Sequence, residues 1–106
     1  MSTITDTAQA DVQAVRAGFE AVAAGDIVGF LAASVERTAG TLHPVPQLYM
    51  PNGAGHVAVL TRISGERPDG RTLDDTQVLY FQLEDGKVRS VDQFVGDPPA
   101  VTKFWA

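Results

Sequence analysis

Asp92 is the residue whose type and position speak most directly of chemistry. It lies in the β-rich run Val88 to Val95, which follows Asp85-Gly86, a dipeptide strongly associated with tight hairpins. Pairing across a two-residue turn sets Leu83 opposite Val88, Phe81 opposite Ser90, Leu79 opposite Asp92 and Gln77 opposite Phe94, all on one face. A carboxylate on so apolar a face is costly unless it is hydrogen-bonded, paired or open to a cavity, because desolvation disfavours its charged form. Its affinity for a proton then rises toward that of a useful general base. Two structural alternatives stand beside this one: a one-residue bulge would flip the register and turn Asp92 to water, or Arg62 would pair with it as a structural ion pair.

The other polar candidates are assistants. Tyr49, Tyr80 and His56 have groups able to hydrogen-bond a ligand, though a buried tyrosine usually serves the core with its hydroxyl satisfied. His56 also reads as a strand-end residue beside a glycine turn, and His43 as a loop histidine next to Pro44. Neither histidine has a partner at metal-ligand spacing, so no metal is expected. Asp75 shares the face of Asp92 near the end of its strand, and Asp74 points the other way into solvent. Leu79, Phe81, Phe94 and Gln77 complete the expected ligand-facing set. Gly53-Ala54-Gly55 precedes a strand rather than a helix, and no nucleophile elbow is present, so phosphate-loop and hydrolase chemistry fall away. No cofactor is implied.

These side chains need a sheet and something to cover it. A chain of 106 residues supports one modest core. With 44% apolar and 20% charged residues it has the composition of a packed globular domain. The net charge of −5, with basic residues scattered, lacks the footprint of a nucleic-acid binder. The absence of cysteine excludes disulfides and thiolate chemistry. Met1 to Gln9 has neither a basic nor an apolar leader region, and no apolar run approaches the roughly 18 residues of a membrane span. A cytoplasmic protein without membrane contact is expected.

Val12, Val15, Phe19 and Val22 recur at helical spacing, with Asp6 and Gln9 forming a capping box and Gly25 a stop. Asp26 caps a second helix with Ile27, Phe30, Leu31 and Val35 on one face, ending near Gly40. Pro44 and Pro46 forbid a central strand, leaving room for a short edge strand at Gln47 to Met50. A three-stranded antiparallel meander follows, at His56 to Ser64, Asp74 to Leu83 and Val88 to Val95, with a turn at Pro68-Asp69-Gly70. Asp97-Pro98-Pro99 stops it, and Ala100 to Trp105 makes a short C-terminal helix. The class is α+β.

Three stretches carry a resemblance: Phe19-Glu20-Ala21-Val22-Ala23-Ala24-Gly25-Asp26, the hairpin Val78 to Val88, and the close Asp97 to Trp105. Together they resemble SnoaL-like members of the nuclear transport factor 2-like superfamily, over about residues 8 to 26 and 37 to 106. The resemblance implies a single domain over residues 1 to 106, a cone-like curved antiparallel sheet packed on N-terminal helices, and an apolar pocket. Polyketide cyclases and ketosteroid isomerases use such a pocket without a cofactor, and many relatives only bind. It also implies that the last strand lines the pocket, with Asp92 the nearest match to the cyclase aspartate. Relatives usually carry a second helix and a first strand where this chain runs from Gly25-Asp26 straight into Ile27 to Gly40.

Two functions follow as expectations. One is a cyclase- or isomerase-like enzyme, in which Asp92 abstracts a proton next to a carbonyl of a small apolar or polyketide-like ligand. The other is a non-catalytic binding or dimerisation module whose sheet face is covered by a partner subunit. The shortened segment favours a homodimer with shared or exchanged pocket elements.

Overall fold

The computed structural model describes residues 3–23, 38 and 40–106, with side chains at 6–20, 38 and 40–106. Helix α1 spans Thr3–Ala23. It is followed by strands β1 (His43–Pro51), β2 (His56–Glu66), β3 (Thr72–Glu84) and β4 (Lys87–Val95), and by helix α2 (Pro98–Trp105). The strands form one antiparallel sheet in the order β1-β2-β3-β4. The expected meander is present, and β1 extends it on the β2 side. The second helix expected over Ile27 to Gly40, with Gly25 and Asp26 before it, lies outside the described residues except for Thr38 and Gly40, which are in turns.

Local chemistry explains most boundaries. Helix α1 begins at Thr3, so Asp6 lies inside its first turn and not at the expected cap; there its charge meets the positive end of the helix dipole. The Asp85-Gly86 turn has φ of 52° and 75°, the paired left-handed conformation that a tight two-residue hairpin needs. Asp97 caps α2 by accepting from the Ala100 amide at 3.2 Å, and Pro98 opens the helix where a missing N–H costs nothing. β1 is longer than the edge strand expected at Gln47 to Met50. Pro44 and Pro46 fit because β1 has a partner on one side only.

Both outer strands carry a bulge. On β1, Pro46 pairs with Thr61 and Leu48 with Leu60, so Gln47 is the extra residue. On β4, Val88 pairs with Leu83 and Ser90 with Gln82, leaving Arg89 extra. Each bulge reverses the faces of the residues beyond it.

The helices cover one face, here called inner. At one end Val15 of α1 packs with Val57 and Val59, joined by Val12, Phe19, Tyr49, Phe81 and Leu83. Phe19 lies edge-on to Tyr49 and Phe81, with ring centroids 6.3 and 5.8 Å away. At the other end Phe104 of α2 packs with Ile63 and Leu73. Each such buried side chain contributes about 1.5–3 kcal/mol by leaving water. Arg71 donates to the carbonyls of Lys103 and Ala106 at 3.0 and 2.7 Å, tying the end of α2 to the β2–β3 turn. Among the described residues no helix is long and apolar enough to cross a membrane.

Candidate functional site

The bulge at Arg89 corrects the expected pairing of β4. Only Leu83 with Val88 pairs as expected; beyond it Phe81 faces Val91, Tyr80 faces Asp92, Leu79 faces Gln93, Val78 faces Phe94 and Gln77 faces Val95. Asp92 is therefore exposed on the outer face, beside Tyr80, and its burial as a base is lost. Its alternative partner Arg62 is committed to Asp74 through two hydrogen bonds of 2.8 and 2.6 Å. That contact holds the Asp74 carboxyl below its ordinary range and raises Arg62. Physically, the bulge brings Val91 and Val95 to the helix-covered side in place of a carboxylate.

The expected ligand-facing residues divide between the two faces. Gln77, Leu79, Phe81 and Tyr49 lie on the inner face. Phe94, Tyr80 and His56 lie on the outer one with Asp92. There the Tyr80 hydroxyl and His56 Nδ1 share a 2.7 Å hydrogen bond.

The carboxylate that does sit on the inner face is Asp75, 7% exposed. Its Oδ2 accepts from Gln77 Nε2 at 3.0 Å and from the Gly96 amide at 3.2 Å. Gln77, 1% exposed, accepts in turn from Gln93 Nε2 at 2.5 Å. Thr61, paired with Gln77 across the strands, is fully buried and donates to the Val59 carbonyl at 3.1 Å. A polar belt thus crosses the inner face between the α1 cluster and the α2 cluster. Gly96 is required beside it: a Cβ there would stand 2.5 Å from the Thr76 carbonyl oxygen and 2.9 Å from Asp75 Oδ1. Sequence reading placed Asp75 and Gln77 on this face but missed Gln93. The signal available was Val91 and Val95 flanking Gln93 at period two.

Two open grooves run beside α1, apart from the belt. One, of about 430 Å³, lies between Arg16, Phe19 and Glu20 of α1 and His43, Pro44, Val45, Pro46 and Tyr49 of β1. The Arg16 guanidinium stacks 4.9 Å over the Tyr49 ring. Burial raises the Tyr49 hydroxyl above its ordinary range, against the opposing pull of Arg16. The other groove, of about 810 Å³, lies between Asp6, Gln9 and Gln13 of α1 and the Pro51-Asn52-Gly53 turn. Among the described residues no three His, Asp or Glu side chains converge as a metal site.

The outer face has the opposite character. Leu48, Leu60, Val78 and Phe94 pair in one row across all four strands. Leu48 is 51% and Phe94 59% exposed, and Val45 and Met50 add further exposed apolar surface along β1.

No family model matches the chain. Uncharacterised proteins of Mycobacterium tuberculosis and Mycobacterium bovis are 25% identical over 81 residues, or 76% of this chain. The chain spans about three-fifths (61%) of the length of these relatives. Among solved structures, Bal32a, from a soil-derived mobile gene cassette, superposes with a TM-score of 0.83 at 22% identity, over 94% of this chain and 99% of that one. A Xanthomonas campestris protein of unknown function with a cystatin-like fold superposes with a TM-score of 0.64 at 31% identity, over 72% of this chain and 58% of that one. The fold is therefore α+β with a curved four-stranded antiparallel sheet, like these neighbours.

Proposed function

We propose that this chain is a small-molecule-binding protein of the SnoaL-like, nuclear transport factor 2-like kind, and that it works as a homodimer. The observation that carries this reading is the bulge at Arg89, because it gives the two faces of the sheet different tasks. Inward it turns Gln93, which completes the belt with Gln77 and Asp75 on a face otherwise lined by Val, Leu, Ile and aromatic side chains. A few placed polar groups on an apolar wall are what a small-ligand site needs. Outward it turns Phe94, which completes the apolar row with Leu48, Leu60 and Val78. Contiguous apolar surface of this kind marks an interaction face, and an apolar row that each copy presents alike suits a second copy of the same chain.

Binding without turnover is the better reading of the inner face. Asp75 has one oxygen committed to two donors, and Asp92, the expected base, stands in solvent. Titrating the 15N-labelled chain with cyclohexanol, a small neutral apolar probe, tests the ligand reading. Saturable shifts of the Gln77 and Gln93 side-chain amides are expected; shifts confined to Phe94 and Leu48 would overturn it. Sedimentation tests the dimer. A monomer at all micromolar concentrations would overturn that part.

A further inference from the structure

Arg16 and Glu20 stand one turn apart on α1, at a spacing that usually lets opposite charges pair. Here they do not meet. The ion pairs among the described residues are those of Arg62, Arg71 and Arg89, and neither Arg16 nor Glu20 has a hydrogen-bond partner among the described residues. Both charges instead line the open groove of about 430 Å³ between α1 and β1.

Tyr49 accounts for the position of Arg16, whose guanidinium is held 4.9 Å over the ring by the attraction of a cation to an aromatic face. That contact consumes none of the guanidinium N–H donors. Tyr49 is itself fixed, because the bulge at Gln47 turns it to the inner side and Phe19 meets it edge-on at 6.3 Å. Its hydroxyl has no hydrogen-bond partner among the described residues, and burial, opposed by Arg16 and aided by Glu20, keeps it a protonated donor within reach of both charges. Pro44 and Pro46 pair with Ile63 and Thr61 of the inner face, so their rings lie on this side as a rigid apolar wall.

We propose that this groove binds a zwitterionic amino acid, with its carboxylate on Arg16, its ammonium on Glu20 and an apolar side chain against Phe19, Tyr49 and the two prolines. A guanidinium fork matches a carboxylate, and a carboxylate takes an ammonium as its charged donor. A simple anion would meet Glu20 and a simple cation Arg16; only a ligand with both charges satisfies the pair. Helix positions at this spacing have Cβ atoms about 5–6 Å apart, a gap that the adjacent heads of an amino acid can bridge. The groove is apart from the polar belt, so this site does not rest on ligand binding there.

Three probes with one phenyl body separate the possibilities: phenylalanine carries both heads, phenylpropionate only the carboxylate and phenethylamine only the ammonium. Each is titrated at near-neutral pH into the 15N-labelled chain and read at the Arg16 side-chain Nε–H and the Tyr49 amide, with the Gln77 and Gln93 side-chain amides as the control site. Phenylalanine is expected to shift the first two saturably and to bind roughly 5-fold or more tighter than either single-headed probe, the scale of one charged contact at a partly exposed site. Glu20→Gln should bring its affinity down to that of phenylpropionate, and Arg16→Gln, read at Tyr49, to that of phenethylamine. Both residues are exposed on α1, so the circular dichroism should stay the same. Equal binding of the three probes, a preference for a single-headed one, or a zwitterion preference that survives either substitution overturns the proposal. So does the absence of any shift. Shifts confined to Gln77 and Gln93 overturn the groove while leaving the belt as the ligand site.

Discussion

The two faces of this sheet exchange their usual roles at their centres. The inner face, covered by α1 and α2, buries Thr61, Asp75 and Gln77 across its middle. The outer face, open in one chain, displays Leu48 and Phe94 at the ends of an apolar row. The cause is shared. Without the bulge at Gln47, Leu48 would turn inward and Tyr49 outward; without that at Arg89, Phe94 and Asp92 would turn inward and Gln93 outward. Two single extra residues on the two edge strands therefore complete both features, adding Gln93 to the polar belt and Leu48 and Phe94 to the apolar row. This asymmetry is hard to explain by stability alone, since burying polar groups and exposing apolar ones both cost free energy.

Inserting one alanine between Val91 and Asp92 reverses the alternation beyond the bulge and should have the largest effect. With Val91 still opposite Phe81, it drives Asp92 into the inner face and takes Gln93 out of it, which should cost at least about 3 kcal/mol in a urea titration, the scale of a buried carboxylate left without partners. Phe94→Glu breaks only the outer face: association followed by sedimentation should weaken by roughly 10-fold or more, while the secondary structure seen by circular dichroism stays the same. Gln77→Leu breaks only the inner face. It takes one of two donors from Asp75 and the acceptor from Gln93, for a loss of about 1–3 kcal/mol in chemical denaturation.

Gly96→Ala should cost about 1–3 kcal/mol in the same measurement, since its Cβ would press on the Thr76 carbonyl and force β4 away from Asp75. The smallest effect belongs to the exposed Arg62–Asp74 pair on the outer face. Asp74 is held low mainly by its hydrogen bond from Arg62, so the pair stabilises the fold above the unfolded carboxyl pKa and loses that contribution as pH falls through the lower folded value. Arg62→Ala should raise the Asp74 midpoint in a carboxyl NMR titration and remove that acid-side dependence.

The meander was legible because its signals are local. Asp85-Gly86 demands left-handed φ at both positions, and the β-branched runs around it alternate at period two. The helices at either end declared themselves by spacing and by Asp97-Pro98. What the sequence did not disclose was Arg89 as an extra residue. A bulge is chosen by which set of side chains packs better under the helices, and that competition between Val91 with Val95 and Asp92 with Phe94 is tertiary. One slipped residue then moved Asp92, Phe94, Tyr80 and His56 out of the expected site and brought Gln93 in. Gln77, Leu79, Phe81 and Tyr49 kept their expected face because β2 and β3 pair without interruption and the bulge at Gln47 returns Tyr49 to the inner side.

The most direct measurement uses the absence of native cysteine. A single thiol at Phe94→Cys, treated with a thiol reagent over a dilution series, reports both the face and its cover. Fast labelling is expected at nanomolar protein, where single chains expose the outer face, and protection at high micromolar protein, where a second copy covers it. Labelling that is slow at every concentration would place residue 94 inside the fold, and labelling that is fast at every concentration would leave the apolar row uncovered; either result contradicts the division of labour between the two faces.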